Sequence, residues 1–273
     1  MKNPPVLIKG DELFLNEIAE DHYETSRDLS KYLLMHYGSP EDVFESPHHP
    51  LAFAHGYPER ISRILQSAAL DKGVTVSRAL DVGCSVGGVA HALSRWVDTL
   101  VCGVDASARS IDVATTLTQN EGGTFGVVQQ GPYSRYVSVR VSGPESGPEV
   151  GFEVGDACDL HYEEQFDAVI LSNVLDRVAH PGECLRQFEA DDGPLRRGGL
   201  LLIACPWSWY PDYSRPEEWF GSARDEITSE DDLKTRMSGG FTMVHESDQP
   251  AVLRQNPREY DYFNAHVTVW EKL

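Results

Sequence analysis

Arg78-Ala-Leu-Asp-Val-Gly-Cys-Ser-Val-Gly-Gly88, followed by Leu100-Val-Cys-Gly-Val-Asp105, decides the fold of this 273-residue chain. A short apolar run through Ala79, Leu80 and Val82 breaks into a glycine turn, and a second apolar run ends on an acid. Adjacent strands of a parallel α/β sheet read this way, with a backbone turn at one tip and a carboxylate at the next. Gly83 and Gly87 give the turn positive-φ options and room for close approach. The carboxylate of Asp105 suits a ribose diol, so the expected ligand class carries an adenosine.

Working outward, strands are predicted near 78–82, 100–104, 151–154, 166–172 and 199–204, with helices near 88–96, 107–120 and 181–190. Alternating strands and helices imply a parallel sheet covered on both faces. Ser107 is the expected N-cap of the second helix. Thr124–Gln130 and Tyr136–Val141 alternate around Gly131-Pro-Tyr-Ser134, which predicts a hairpin inserted over about 122–150. Beyond Cys205 come a proline- and aromatic-rich stretch, a short helix near 229–237 and two closing strands near 241–246 and 263–270. Residues 1–77 read as a helical cap ahead of a domain over 78–273, with one helix from Tyr23 to Tyr37 and another opening at Pro58 and running to about Leu70.

A net charge of −20 argues against a nucleic-acid partner, because phosphate binding needs clustered Lys and Arg. No run approaches the ~18 apolar residues of a membrane span. Met1 to Gly10 lacks the apolar core of a secretory leader, so a cytoplasmic protein is expected. Cys84, Cys102, Cys158, Cys184 and Cys205 are odd in number and contain no CxxC pair, so reduced thiols and no metal site are expected.

Gly83-Cys84-Ser85-Val86-Gly87 also matches a G-x-S-x-G nucleophile elbow, with Ser85 as nucleophile and Asp248 and His266 as candidate triad partners. That hydrolase reading leaves Asp105 unexplained and lacks an oxyanion loop upstream. A dinucleotide calls for G-x-G-x-x-G, and Ser85 stands where the second glycine would approach a diphosphate. The comparison favours S-adenosylmethionine, with Asp81 orienting the turn and the backbone of Gly83 and Cys84 at the methionine part. Gly155-Asp156-Ala157, after the third strand of the repeat, suits an adenine. Asn173, Asp176 and Arg177 follow the fourth, at the end that faces the crevice; Asp176 and Arg177 read equally as a surface pair. His180 reads as a helix-start residue. Trp207, Trp209, Tyr210 and Tyr213 follow the fifth, either walling an aromatic pocket or packing as a loop.

Over most of its length the chain resembles the methyltransferase module found at the C-terminus of 5-histidylcysteine sulfoxide synthases, or beside them, in ovothiol biosynthesis. The resemblance rests on Tyr23-Glu-Thr-Ser-Arg27, Tyr32-Leu-Leu-Met-His-Tyr-Gly38, Leu80 to Gly87, Gly103 to Arg109, Gly155 to Cys158 and Ser172-Asn-Val-Leu-Asp-Arg177. It continues through Gly198-Gly-Leu-Leu201, Pro206-Trp-Ser-Trp209, Glu218-Trp-Phe-Gly221 and His266-Val-Thr-Val-Trp270. It implies a Rossmann-like class I methyltransferase with a seven-stranded, mostly parallel sheet, helices on both faces, an N-terminal helical lid and the inserted hairpin. The implied reaction methylates an imidazole nitrogen of 5-thiohistidine, giving ovothiol A, with the C–S bond made by a separate sulfoxide synthase. The alternative within the fold is methylation of another small imidazole or amine. Carried over residue by residue, Gly83, Cys84 and Gly87 form the cofactor turn, Asp105 takes the ribose with Ala106 also at the cofactor, and Asp156 and Ala157 meet the adenine. Asn173 lies beside the sulfonium, and Tyr23 and Arg27 close over the methionine carboxylate. For the acceptor, Asp176 is expected at the ring N–H or the ammonium, Arg177 or Arg254 at the carboxylate, and Trp207 against the ring.

Overall fold

The computed structural model describes residues 26–46, 48–131, 133–141 and 147–273. Its strands are β1 (Arg78–Val82), β2 (Leu100–Asp105), the hairpin strands β3 (Gly122–Gln130) and β4 (Tyr133–Arg140), β5 (Glu149–Val154), β6 (Phe166–Ser172), β7 (Leu195–Cys205), β8 (Phe241–Asn256) and β9 (Glu259–Lys272). Its helices are α1 (Ser26–Tyr37), α2 (Pro40–Phe44), α3 (Tyr57–Lys72), α4 (Gly88–Leu93), α5 (Ala108–Gln119), α6 (Pro181–Glu189) and α7 (Ser229–Met237). Seven strands form one sheet in the order β5-β2-β1-β6-β7-β9-β8, and β3 and β4 form a separate antiparallel pair. The first five of the sheet run parallel, while β9 is antiparallel to both β7 and β8. This is the expected α/β architecture.

Strand alternation sends successive side chains to opposite faces. On one face Ala79, Val101, Ile170 and Leu202 pack under Ile61 and Leu65 of α3 and Val89 and Leu93 of α4. On the other, Leu80, Val169, Leu201 and Ile203 pack under Leu185 and Phe188 of α6 and Leu233 and Met237 of α7. With both faces covered, the central strands must be apolar throughout, as Ala168-Val-Ile-Leu171 and Leu200-Leu-Leu-Ile203 are. α3, grouped with the N-terminal cap by the sequence reading, therefore belongs to the main core: Tyr57, Ile61 and Leu65 are buried in it.

Two elements differ from expectation. β8 and β9 run far past the predicted segments, and Pro250 lies inside β8. Proline removes a ladder donor, but β8 is the outer edge of the sheet and pairs only with β9, so the missing N–H leaves no neighbour unsatisfied. Because Cys205 pairs with His266, residues 259–265 and their partners on β8 project beyond the carboxyl edge by about 20 Å. The β3–β4 hairpin has a packing role. Phe125, Val127, Val137 and Val139 form a cluster with Leu29, Leu33 and Leu34 of α1 and Val113 and Leu117 of α5. The hairpin is thus the wall on which α1 rests.

Candidate active site

The chain passes from β1 outward through β2 to β5, then returns to β6 and β7 on the other side. That reversal places a crevice at the carboxyl ends of β1 and β6, where open α/β sheets bind ligands.

The turn after β1 is built on left-handed backbone: φ is +72° at Gly83, +48° at Ser85 and +87° at Gly87. The N–H groups of Gly83 and Cys84 both donate to Val104 O, at 2.8 and 3.0 Å. With those N–H groups engaged, it is the turn's carbonyls through which the backbone of Gly83 and Cys84 can meet an ammonium. A Cβ on Gly83 would lie 2.3 Å from Val174 Cγ2. Gly83→Ala should therefore destabilise the protein by about 2–4 kcal/mol, combining the left-handed backbone and the clash. Urea midpoints test this, and adding Val174→Ala should restore the steric part only.

Asp105 holds the turn from the neighbouring strand. One carboxylate oxygen accepts from Ser85 N at 2.8 Å and the other from Ser107 N at 2.9 Å. A carboxylate accepts at about four lone-pair sites, so bracing the turn and taking a ribose diol are compatible. Ala106 stands exposed beside it. Asp81 lies beneath, 1% exposed, with one oxygen lacking any partner. Burial raises its pKa to about 7, and Asp105 adds to the rise. An orphaned buried carboxylate oxygen beside a turn offering carbonyls fits the ammonium of a methionine moiety.

α1 reaches this turn from above. His36 Nδ1 accepts from Gly88 N at 2.9 Å, and Tyr37 hydroxyl lies 2.6 Å from Val86 O and 2.8 Å from His91 Nδ1. Burial first pushes both His36 and His91 down to about 4. None of these three was singled out from sequence. Arg27 is exposed in the first turn of α1, roughly 13 Å along the helix from His36, so the structure does not bring it to the glycine turn. Tyr23 lies outside the described residues.

These shifts set a pH profile. An unfolded His titrates near 6.5 and an unfolded Asp near 3.9. As pH falls from about 6.5 to 4 the unfolded chain takes up protons that buried His36 and His91 refuse, so stability is lost. Asp81 works the other way: its contribution is complete below about pH 4 and lost as pH rises through about 7. Maximum stability should fall near neutrality. His91→Gln should flatten the acid limb, by on the order of 3 kcal/mol at pH 4, and Asp81→Asn should steepen the rise between about pH 4 and 7, in urea titrations from pH 4 to 9.

After β5, Asp156 Oδ1 accepts from Cys158 N at 2.8 Å, fixing a tight turn. Ala157 O accepts from Gln187 Nε2 at 2.6 Å and from the Cys184 thiol at 3.3 Å. The segment sits at the carboxyl end of β5, two strands from β1, where the far end of an adenosine would reach.

On the other side, Asn173 takes φ +59° and donates its N–H to Ala204 O at 2.7 Å. Tyr57 of α3 approaches it, donating to Asn173 Oδ1 at 3.5 Å. Asp176 is fully buried: Oδ2 accepts from Ser208 N (3.1 Å) and Ser208 Oγ (2.9 Å) and pairs with Arg177 at 2.9 Å. Oδ1 has no N–H or O–H partner, and the adjacent Cys205 thiol is pushed up by burial and then by this carboxylate. Arg177 also donates to Ser208 O at 2.8 Å and lies over Tyr210 and Tyr213. The surface-pair reading of Asp176 therefore fails; together with Arg177 it locks the exit of β6 to the loop after β7. Trp207, at φ +55°, packs against Trp209, Phe220 and His266, and its Nε1 is buried without a partner. His266 Nδ1 is likewise orphaned, while its Nε2 meets Glu246 at 2.9 Å. The loops after β6 and β7 bound an open cleft between His180 and Arg215.

Arg254 is placed elsewhere. It is 2% exposed on the projecting half of β8 and donates to Asp42 O, Glu45 Oε1 and Gln129 Oε1. It clamps α2, β3 and β8 together, so both terminal nitrogens of its guanidinium are already committed, while the buried Nε has no partner. The Ser85 hydrolase also fails geometrically. Three strand steps separate β1 from β9, about 14 Å, and Ser85 and His266 lie at those two strands. His180 opens α6 without a side-chain cap bond, 3.5 Å from Glu218.

Among the described residues no helix is long and apolar enough to cross a membrane. No curated protein matches the chain. Among solved structures it is similar to magnesium protoporphyrin IX methyltransferase from Synechocystis PCC 6803 with S-adenosylmethionine bound. That likeness has 14% identity over 94% of this chain and 100% of that one, with a TM-score of 0.50. The N-methyltransferase NodS from Bradyrhizobium japonicum WM9, in complex with S-adenosylhomocysteine, shares 14% identity over 89% and 98% of the two chains, with a TM-score of 0.49. At such identities the likeness speaks to fold alone. The family profile described as a methyltransferase domain, however, matches residues 53–244, well over half of the sequence. The chain belongs to that methyltransferase-domain family and is an S-adenosylmethionine-dependent methyltransferase.

Proposed function

We infer that the acceptor is 5-thiohistidine and that the enzyme methylates a ring nitrogen, giving ovothiol A, with a separate sulfoxide synthase as supplier. The sequence blocks set out above support this reading. The observation that carries it is the set of orphaned atoms at the carboxyl edge, after β6 and β7 and where β9 crosses it: Asp176 Oδ1, Trp207 Nε1 and His266 Nδ1. Buried polar groups without partners cost about 1–3 kcal/mol each, so three at one sheet edge suit a small polar ligand that satisfies them.

An imidazole presents one N–H and one lone pair at opposite sides of a flat ring. In this reading Asp176 Oδ1 accepts the ring N–H and Trp207 Nε1 donates to the sulfur. Asn173 lies beside the sulfonium, with Asp105 at the ribose, Ala106 also at the cofactor, and Asp156 and Ala157 at the adenine. Bound S-adenosylmethionine supplies an electrophilic methyl with a good leaving group. The neutral ring nitrogen needs no prior deprotonation, so this chain contributes mainly position and exclusion of water. Selectivity is the harder task, since a thiolate on the same ring is the stronger nucleophile. A donor fixed on sulfur lowers its nucleophilicity and turns it off the methyl axis. Once the ring becomes cationic, the carboxylate on its N–H holds the departing proton. Arg177, 4.9 and 5.3 Å from the ring centroids of Tyr210 and Tyr213 beside the cleft, is the candidate for the amino-acid carboxylate.

The test is incubation with S-adenosylmethionine and 5-thiohistidine, with histidine and ergothioneine as controls, and fragmentation mass spectrometry of the product. N-methylated thiohistidine is expected, with both controls turned over far more slowly. An S-methyl product, or histidine methylated equally fast, contradicts the proposal.

A further inference from the structure

Of the five cysteines, all free thiols, Cys84, Cys102 and Cys205 are pushed up by burial. Cys158 differs. It is half-buried, lies against the N-terminus of α6, and is held below the usual thiol range first by its contact with the Cys184 side chain. Cys184, fully buried in the first turn of α6, is pushed up by the same contact.

Backbone geometry locates the two sulfurs independently. Cys158 Sγ lies 4.0 Å from His180 O, the same carbonyl that accepts from Cys184 N at 3.0 Å. Reciprocally, Cys184 Sγ lies 3.3 Å from Ala157 O, the residue before Cys158. The thiols face each other across the gap between the turn after β5 and α6. One is accessible and thiolate-prone at a helix N-terminus, with the other beside it as resolving thiol, an arrangement that favours oxidation to a disulfide.

We propose that Cys158 and Cys184 are a redox modification site: a hydroperoxide converts them to a disulfide, and closing that bond lowers affinity for the methyl donor. The Cys158 thiolate attacks the peroxide oxygen, giving a sulfenic acid and, from hydrogen peroxide, water. The Cys184 sulfur then attacks the Cys158 sulfur and the sulfenic oxygen leaves as a second water. Two thiols and one peroxide give one disulfide and two waters. A sulfur–sulfur bond is about 2.05 Å, well over 1 Å shorter than a thiol hydrogen bond, so closure draws the turn toward α6. It also removes the Cys184 S–H that donates to Ala157 O. The consequence for affinity rests on the reading that Asp156 and Ala157 face the adenine.

The experiment treats the purified protein with equimolar hydrogen peroxide and measures intact mass, peptide linkage and calorimetric affinity for S-adenosylhomocysteine, before and after dithiothreitol. Expected are loss of the mass of two hydrogens, a Cys158–Cys184 linked peptide, and an affinity about tenfold weaker that dithiothreitol restores. Cys184→Ser should leave Cys158 as a sulfenic acid trapped by dimedone, with no linked peptide. Absence of the linked peptide in the unmodified chain, or a disulfide with unchanged affinity, overturns the proposal. Asp156→Ala in reduced protein reports separately on the adenine reading: weakened binding there with no effect of oxidation removes the redox site and leaves the cofactor site standing.

Discussion

Asp105→Ala should weaken binding of S-adenosylmethionine by at least about a hundredfold, the largest loss at any single position. Two contributions add. Hydrogen bonds to a charged group are worth about 1.5–3 kcal/mol each, and a ribose diol offers two. The same carboxylate also braces the glycine turn through Ser85 N and caps the loop into α5 through Ser107 N. Removing it leaves both N–H groups without their acceptor and loosens a turn whose φ values already lie in the left-handed region. Asp105→Asn keeps one acceptor oxygen and should fall between the two. Calorimetric titration checks the order; equal affinity for all three proteins would remove Asp105 from the site.

The second large effect belongs to turnover. Asp176→Asn should lower kcat by about a hundredfold or more, in the range of a lost proton-accepting contact, while changing cofactor affinity less than about threefold. The amide can keep the bonds from Ser208 to one oxygen, but then it presents a donor in place of the unpartnered acceptor Oδ1. It also leaves Arg177 without its charge partner, so some loss of stability is expected. Ser208→Ala separates the two effects: it removes one bond to Asp176 Oδ2 without touching Oδ1, and should lower stability more than kcat. Unchanged kcat in Asp176→Asn would mean that the residue only fastens the two loops.

The parallel half of the sheet was legible because strands buried on both faces must be apolar throughout, and a glycine turn followed by an acid has few other uses. The closing hairpin was less so. Its outer strand carries Pro250 and alternates polar residues toward solvent, so only segments beside the core showed a strand pattern. The hairpin over 122–150 was visible as alternation, but its packing against α1 depends on a contact between distant segments that no local pattern reveals. Among site residues, those read from strand tips, Asp81, Gly83, Asp105 and Asn173, fall at the crevice, because strand register fixes where a tip lies. Residues whose role depends on their partners were harder to read. Arg254 was a buried arginine in need of an anion, and Glu45, from a loop far away in sequence, supplies it. Asp176 is half committed to Ser208, and only tertiary structure shows which oxygen remains. His36, Tyr37 and His91 were missed because each is an ordinary helix residue until α1 docks on the turn.

A crystal structure with S-adenosylhomocysteine tests the cofactor site most directly. The account predicts the ribose hydroxyls on the Asp105 carboxylate, the adenine against Asp156 and Ala157, and the amino group between the glycine-turn carbonyls and Asp81. Density for the nucleoside in the cleft between His180 and Arg215, or a ribose that avoids Asp105, would contradict it.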